Sequence, residues 1–293
     1  SDSAWAVDEA GRVGMVSGAL WSDIDGDGWM DLLVALDWGT IRVWRNRQGR
    51  LEEVTSKAGL QTLGGRWRGI TAGDLDHDGD MDYLVTNIGE NGTVNGNRGQ
   101  PFGVVVGRLQ NTNRRAILEL YAKGETVYPL RTRNALFTGI PELAAAYPTY
   151  ESFSEVTSEE ILSLLNLEEA RTLRMTTLAT GVLRNDGSGE FRFEALPYQA
   201  QISPSFGSVI HDFDGDGQPD LLLGQNATSG SPELGPSRAG MATLLRGHGE
   251  GEGGYKWVNP KGMKLPVFDE TRSLALLDLN GDRRLDLLFG LNH

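Results

Sequence analysis

The stretch DFDGDGQPDLLLG at residues 212–224 decides the fold of this chain. Acidic side chains occupy its positions 1, 3, 5 and 9, and an apolar run follows directly. Nine-residue loops of this pattern occur four times: DIDGDGWMD at 23–31 (loop 1), DLDHDGDMD at 74–82 (loop 2), DFDGDGQPD at 212–220 (loop 3) and DLNGDRRLD at 278–286 (loop 4). A polar loop that leads into an apolar strand four times predicts a repeat protein built from β-sheets.

The spacing of the acidic residues suits calcium. Ca²⁺ takes about 6–8 oxygen ligands at roughly 2.3–2.6 Å, and alternate side chains of a tight loop can point inward together. Glycine within the loop permits the sharp turn. We expect position 7 to offer its backbone carbonyl, so its side chain can vary. The predicted ligands are Asp23, Asp25, Asp27, Trp29 and Asp31 in loop 1; Asp74, Asp76, Asp78, Asp80 and Asp82 in loop 2; Asp212, Asp214, Asp216, Gln218 and Asp220 in loop 3; and Asp278, Asn280, Asp282, Arg284 and Asp286 in loop 4.

The nearest competing motif is the EF-hand, which needs a bidentate Glu at position 12 and a following helix. Position 12 is apolar in every loop, and an apolar strand-like run surrounds it: Val34, Val85, Leu223 and Phe289. The EF-hand interpretation therefore fails four times. A plain turn held by Asx hydrogen bonds is the other alternative, and it stays open for loop 4.

Loop 4 is predicted to be the weakest of three to four calcium sites. Asn280 replaces an aspartate at position 3, and Arg283 stands where the other loops have glycine. Arg284 adds a second positive charge. Loop 2 carries five acidic side chains and should attract calcium most strongly.

Composition limits the possible functions. The chain has 293 residues, a net charge of −13, no cysteine and 39 glycines. Without cysteine there is no disulfide framework and no thiol chemistry. We find no basic patch for nucleic acid, no phosphate-binding glycine motif and no apolar run long enough to span a membrane. The first residues, SDSAWAVDEAG, do not form a signal peptide, so we expect that one was removed or that the chain is an excised piece.

The units extend beyond the loops. After loop 1 come an apolar strand, the segment IRVWRN (41–46), a Gln48-Gly49 turn and LEEVT (51–55). GVLRNDGSGEFRFEAL (181–196) and TLLRGHGEGEGGYKWV (243–258) repeat that hairpin. Small antiparallel sheets of about four strands that stack radially form a β-propeller. We therefore predict one all-β domain over 1–293, a β-propeller or partial propeller of four-stranded blades. In the long gap between loops 2 and 3, residues 107–118 are either a degenerate loop without ligands or simply a strand.

Residues 134–172 interrupt the β pattern. Pro141 suits a first helical position, which predicts a helix over 140–147. Thr157 and Glu160 form a capping-box pattern, and the apolar residues that follow predict a second helix to about Arg171. We expect a short helical insertion between blades that caps a blade or plugs an opening; partner binding is the alternative.

Phe206-Gly207 followed by loop 3 resembles the FG-GAP/VCBS repeat of integrin α-subunit propellers. The chain over 14–292 also resembles bacterial ASPIC/UnbV-type proteins, relatives of cartilage acidic protein, through PELAAAYPTYESF (141–153) and AQISPSFGSVIHDFDGDGQPDLLLGQN (200–226). The Phe-Gly signature is intact only once; the other units have Ser17-Gly18, Arg68-Gly69 and Thr271-Arg272. The resemblance implies a secreted, periplasmic or cell-surface calcium-binding propeller used in adhesion or assembly.

Two functions remain open. The first is a calcium-stiffened recognition or scaffold domain that binds a protein or glycan. Loops of this kind in extracellular modules bind calcium at about 10⁻⁴–10⁻³ M. The second is a lyase-like, polysaccharide-degrading enzyme or its carbohydrate-binding domain, since some sugar-cleaving lyases also use calcium-bearing propellers.

The search for catalytic residues favours the binding role. The four histidines are scattered, and neither HExxH nor GxSxG occurs, so we assign no catalytic residue. Trp67, between Arg66 and Arg68, could stack a sugar, although packing between sheets is the commoner role of such a residue.

Overall fold

The computed structural model describes residues 13–92, 102–228, 235–248, 254–259 and 267–292. The first sheet (sheet 1) contains β1 (Met15–Ser22), β2 (Asp31–Gly39), β3 (Ile41–Arg47), β4 (Arg50–Glu53) and β5 (Gly65–Arg66). Its antiparallel order is β1-β2-β3-β4, and β5 lies beside β2. Loop 1 joins β1 to β2. The β3–β4 turn uses Gln48 and Gly49, which both have positive φ, a conformation that tight two-residue hairpins require.

The second sheet is split along the chain. It begins with β6 (Gly69–Gly73) and β7 (Asp82–Thr86), which loop 2 connects. An inserted unit follows: β8 (Phe102–Arg108), β9 (Arg115–Lys123), β10 (Thr126–Pro129), α1 (Arg133–Gly139), α2 (Leu143–Ala146), α3 (Tyr150–Phe153), α4 (Ser158–Leu165) and β11 (Glu168–Met175). The chain then returns with β12 (Gly181–Asn185) and β13 (Phe191–Ala195). Sheet 2 has the order β6-β7-β12-β13, because β12 pairs with β7.

The inserted unit has a sheet and a core of its own. The sheet order is β10-β9-β8-β11, and the helices pack their apolar side chains against it. Leu118, Leu136, Leu143 and Ile161 are all at most 2% exposed in this core. The helices therefore bury their apolar faces on the inserted sheet. The unit also touches sheet 1, where the backbone N–H of Thr176 donates to Gly64 O.

The last two sheets repeat the arrangement of the first. After a 3₁₀ helix at Tyr198–Gln201, sheet 3 contains β14 (Ser205–His211), β15 (Asp220–Gln225), β16 (Thr243–Gly247) and β17 (Tyr255–Trp257) in that order. Sheet 4 contains β18 (Glu270–Leu277) and β19 (Asp286–Asn292). Loop 3 joins β14 to β15, and loop 4 joins β18 to β19.

The first strands of successive sheets pack against one another, and glycines make this possible. A Cβ built on Gly69 of β6 would lie 2.8 Å from Phe206 O of β14. A Cβ on Gly207 of β14 would lie 2.8 Å from Leu274 N of β18. The Gly of the Phe-Gly signature, Gly207, therefore stands where the backbones of sheets 3 and 4 leave no room for a Cβ.

The predicted fold class is confirmed. The chain is mostly β, with repeated antiparallel sheets of four strands placed side by side as in a propeller or partial propeller. None of the described sheets closes on itself. Residues 107–118 lie in a hairpin of the inserted sheet, where β8 turns into β9.

The helices differ in detail from the prediction. Thr157 is the N-cap of α4, with Glu160 completing the capping box. The helix ends at Leu165, earlier than predicted, because Asn166 adopts a left-handed conformation. The segment predicted as a helix over 140–147 contains only the short α2, and the sequence analysis missed α1 and α3. No helix in the described part of the chain is both long and apolar enough to cross a membrane.

Candidate metal centre

Each loop connects the first strand of its sheet to the second, and the four loops share one backbone path. Positions 4 and 6 take left-handed conformations in all of them: Gly26 and Gly28, His77 and Gly79, Gly215 and Gly217, Gly281 and Arg283. Glycine adopts this conformation without strain, whereas other residues do so at a cost. His77 and Arg283 therefore sit in a backbone that the sequence pattern reserves for glycine. Loop 4 follows the same backbone path although Arg283 stands in place of glycine at position 6.

The position-1 carboxylate holds each loop in shape. Gly28 N donates to Asp23 Oδ2 at 2.8 Å. The corresponding donors are Gly79 N at 3.2 Å, Gly217 N at 2.8 Å and, in loop 4, Arg283 N at 2.8 Å. The backbone N–H of Gly217 and that of Arg283 lower the pKa values of Asp212 and Asp278 below their ordinary value. Loops 3 and 4 thus favour the ionised form of this carboxylate, which is the form that binds a metal.

The position-9 carboxylate links the loop to the sheet beside it. Asp31, Asp82 and Asp220 are buried at the start of the second strand, with at most 1% exposure. Each accepts a hydrogen bond from the third strand, where the donors are Asn46 N at 2.6 Å, Asn185 N at 2.9 Å and Gly247 N at 3.0 Å. Burial raises the pKa of all three carboxyls despite these bonds. A cation beside such a carboxylate would offset part of its desolvation cost.

Three of the loops bring carboxylates together closely enough to share an ion. One oxygen from each member of a triplet lies within 4.8 Å of the others in Asp23/Asp25/Asp27, Asp74/Asp76/Asp78 and Asp212/Asp214/Asp220. The described residues of loop 4 contain no such group of acidic side chains. There Asn280 Nδ2 donates to Asp282 Oδ2 at 3.3 Å, so two of the predicted ligands bind each other.

Two carboxylate oxygens in these triplets have no hydrogen-bond donor. Asp25 Oδ1 and Asp74 Oδ1 are buried from solvent without a partner. A buried, unpaired carboxylate oxygen is costly, whereas a hard cation in the loop would satisfy it. The donor set consists of carboxylate oxygens on a glycine-containing loop, so the residues present fit a calcium ion. The assignment of individual ligands remains a prediction.

The loops of neighbouring sheets also touch. His77 Nε2 lies 2.8 Å from Gly217 O and so bonds loop 2 to loop 3. Asn185 Nδ2 donates to Ile24 O at 2.9 Å and so ties sheet 2 to loop 1. Side-chain hydrogen bonds therefore connect loop 2 directly to loop 3 and connect sheet 2 to loop 1.

The other residues singled out in the sequence do not form a site. Trp67 is fully buried and packs edge-on against Phe193 at 5.9 Å between ring centroids, so the interpretation as a sugar-stacking residue is wrong. Its neighbours Arg66 and Arg68 both donate to Asp37. Burial alone would raise the pKa of Asp37, but the two arginines outweigh it and hold that pKa below its ordinary value.

Sequence reasoning missed the contribution of the third strands. The dipeptides Arg45-Asn46, Arg184-Asn185 and Arg246-Gly247 all face their loops. The repeated hairpin sequence contained this signal, but only the register of the third strand against the second shows that it reaches the loop.

Repeated antiparallel sheets with acidic loops between their first and second strands define an all-β repeat protein. The model of the FG-GAP-like repeat family matches residues 23–85 and 212–289. These segments are FG-GAP-like repeats, and the chain contains an FG-GAP-like repeat domain. Among curated proteins, none matches the chain. The resemblance to ASPIC/UnbV-type proteins remains a prediction.

Proposed function

We propose that this chain is a calcium-stiffened recognition or scaffold domain that works outside the cytoplasm and binds a protein or glycan. The observation that carries the proposal is the pair of buried, unpartnered carboxylate oxygens, on Asp25 and Asp74, inside aspartate triplets that recur at the same place in three sheets. Bound calcium would supply the positive charge that holds these carboxylates together.

The chemistry of the loops favours calcium over magnesium. Magnesium demands near-ideal octahedral geometry and retains several waters, whereas calcium accepts more oxygen ligands in flexible arrangements. Each complete loop offers three or more carboxylates together with the predicted position-7 carbonyl. Loops of this type that bind at about 10⁻⁴–10⁻³ M fill only where calcium is millimolar, which supports a location outside the cytoplasm.

Stiffening is the expected consequence of calcium binding. The loops join first to second strands, and the position-9 carboxylates tie them to third strands. An ion in each of loops 1, 2 and 3 would therefore fix three strands of a sheet together. A rigid set of sheets can present a binding surface with little loss of conformational entropy on association, which suits adhesion or scaffolding.

Thermal unfolding in calcium and in EGTA tests the metal part of the proposal. At a calcium concentration ten times the dissociation constant, each site adds about 1.4 kcal/mol of stability, or about 4 kcal/mol for three sites. The expected rise in Tm is about 8 °C or more. Asp214→Asn should lose part of this rise, while the exposed control Asp269→Asn should keep it. Identical melting curves in calcium and EGTA would refute the role of the metal.

Binding to arrays of glycans and of extracellular proteins tests the recognition part. We expect a ligand on one of them whose binding requires calcium and weakens in the Asp214→Asn variant. No bound ligand on either array, or binding that EGTA and the variant leave unchanged, would count against a calcium-dependent recognition domain.

A further inference from the structure

In sheets 1, 2 and 3, an arginine of the third strand reaches the position-3 aspartate of the loop. The contacts are Arg45 Nη1 to Asp25 Oδ2 at 3.1 Å, Arg184 Nη1 to Asp76 Oδ2 at 3.7 Å and Arg246 Nε to Asp214 Oδ2 at 3.0 Å. The same contact therefore forms three times, in three sheets whose sequences differ around it.

The register of the sheets produces this contact. Each arginine directly precedes the residue whose backbone N–H donates to the position-9 aspartate: Asn46, Asn185 and Gly247. Since that hydrogen bond fixes the third strand against the loop, the preceding side chain is placed at the same point each time. The strand register therefore places an arginine beside the loop in each of the three sheets.

At Asp25 the two carboxylate oxygens differ. Arg45 holds Oδ2, which Arg47 also reaches at 3.5 Å, while Oδ1 is buried without a donor. Arg45 is itself held, since its Nη2 donates to Ser188 O of sheet 2 and its side chain is only 19% exposed. Arg184 is likewise fixed by Asp82 at 2.6 Å.

We infer that Arg45, Arg184 and Arg246 are positioning residues for calcium, each orienting the position-3 carboxylate so that its free oxygen faces the ion. The inference rests on the proposed calcium binding and names residues that are not themselves ligands.

Two effects of the arginine oppose each other. A guanidinium repels calcium, but Arg45 lies against Asp25 Oδ2 at 3.1 Å, and that carboxylate offsets most of its positive charge at the ion. Loss of an outer partner that orients a metal ligand typically lowers affinity about 10- to 100-fold. Positioning should therefore dominate, and removal of the arginine should weaken calcium binding.

Terbium luminescence can test this at loop 1. Trp29 occupies position 7 of that loop, so excitation of tryptophan sensitises a terbium ion bound there, and calcium displaces it. The comparison uses the full chain with Arg45→Gln, Arg45→Lys and the control Arg50→Gln. Arg50 is an exposed residue of β4 in the same sheet, so its substitution removes the same charge without touching the loop.

The expected result is an approximately tenfold weaker calcium displacement constant for Arg45→Gln, partial recovery in Arg45→Lys, and an unchanged constant in the control. Partial recovery would separate positioning from general packing, because lysine restores a donor without the shape of arginine. An Arg45→Gln constant within twofold of the control, or tighter than wild type, would overturn the inference. Absence of any calcium-displaceable terbium emission in the wild type would instead overturn the proposed function.

A second variant allows the test to be made even if Arg45→Gln does not fold. Arg246 is half exposed, and its described ion pair is with Asp214 of its own loop, so Arg246→Gln should fold even if Arg45→Gln does not. Lys256 lies directly across from it on β17, which makes Lys256→Gln the matched control. Calorimetric titration with calcium should show one weakened site in the first variant and none in the second; equal titrations would overturn the inference.

Discussion

Alanine substitutions at the glycines between sheets test the packing of the first strands. In Gly207→Ala the new Cβ would lie 2.8 Å from the backbone of Ser273 and Leu274, and in Gly69→Ala 2.8 Å from Phe206 O. Backbone atoms cannot move aside as a flexible side chain can. In Gly18→Ala the nearest atom, Gly69 Cα, would be 3.4 Å away, which is an ordinary contact.

These distances predict the order of stability of the three variants. Overpacking of this kind costs about 1–3 kcal/mol, which corresponds to a fall in Tm of about 2–4 °C per kcal/mol in a chain of this size. Gly18→Ala should be neutral or stabilising by up to about 1 kcal/mol, because its new contact is ordinary and alanine restricts the unfolded chain. Urea unfolding in saturating calcium measures all three variants. If Gly69→Ala and Gly207→Ala prove as stable as Gly18→Ala, the side-by-side packing described above is wrong.

Three further predictions concern single residues. Arg283→Gly should stabilise the calcium-free protein by about 1 kcal/mol, because Arg283 has φ +69°; Arg284→Gly removes the same charge and should not, as urea midpoints in EGTA will show. Burial alone would raise the pKa of Glu270. Hydrogen bonds from Thr228 and Asn292 and the charge of Arg272 outweigh burial and lower that pKa to about 2. The ionised Glu270 carboxylate therefore stabilises the folded protein by as much as about 3 kcal/mol at neutral pH, and this is lost as pH falls from about 4.5 toward 2. A Glu270→Gln variant that keeps the wild-type acid dependence of urea unfolding would contradict this. Thr157→Ala should cost about 0.5–2 kcal/mol by removing the N-cap of α4, and protection of the α4 amides from hydrogen exchange should fall, whereas an unchanged exchange rate would show that the cap contributes nothing.

The loops could be predicted from sequence because their chemistry is local. Carboxylates at positions 1, 3, 5 and 9 lie within nine residues, and the turn residues that bring them together lie between them. The structure shows the same backbone path in loop 4, where the sequence pattern is degraded. The repeated strand after each loop likewise follows directly in the chain, which is why the four-stranded sheets could be foreseen.

The features that sequence missed depend on distant pairing. β7 pairs with β12 across the entire inserted unit, and no local pattern marks where an interrupted sheet resumes. Trp67 has polar, charged neighbours in sequence, yet it points into the core against Phe193 of that distant hairpin. The role of the third-strand arginines also requires the register of two strands, which residue spacing alone does not give.

The number of calcium ions bound per chain tests the central claim most directly. Equilibrium dialysis against millimolar calcium, followed by elemental analysis, should give three ions per chain, with a weaker fourth at higher concentration. Asp23→Asn, Asp74→Asn and Asp212→Asn should each remove one ion, because each changes the position-1 carboxylate of one loop. A chain that binds no calcium, or one whose bound calcium is unchanged by all three substitutions, would contradict the account.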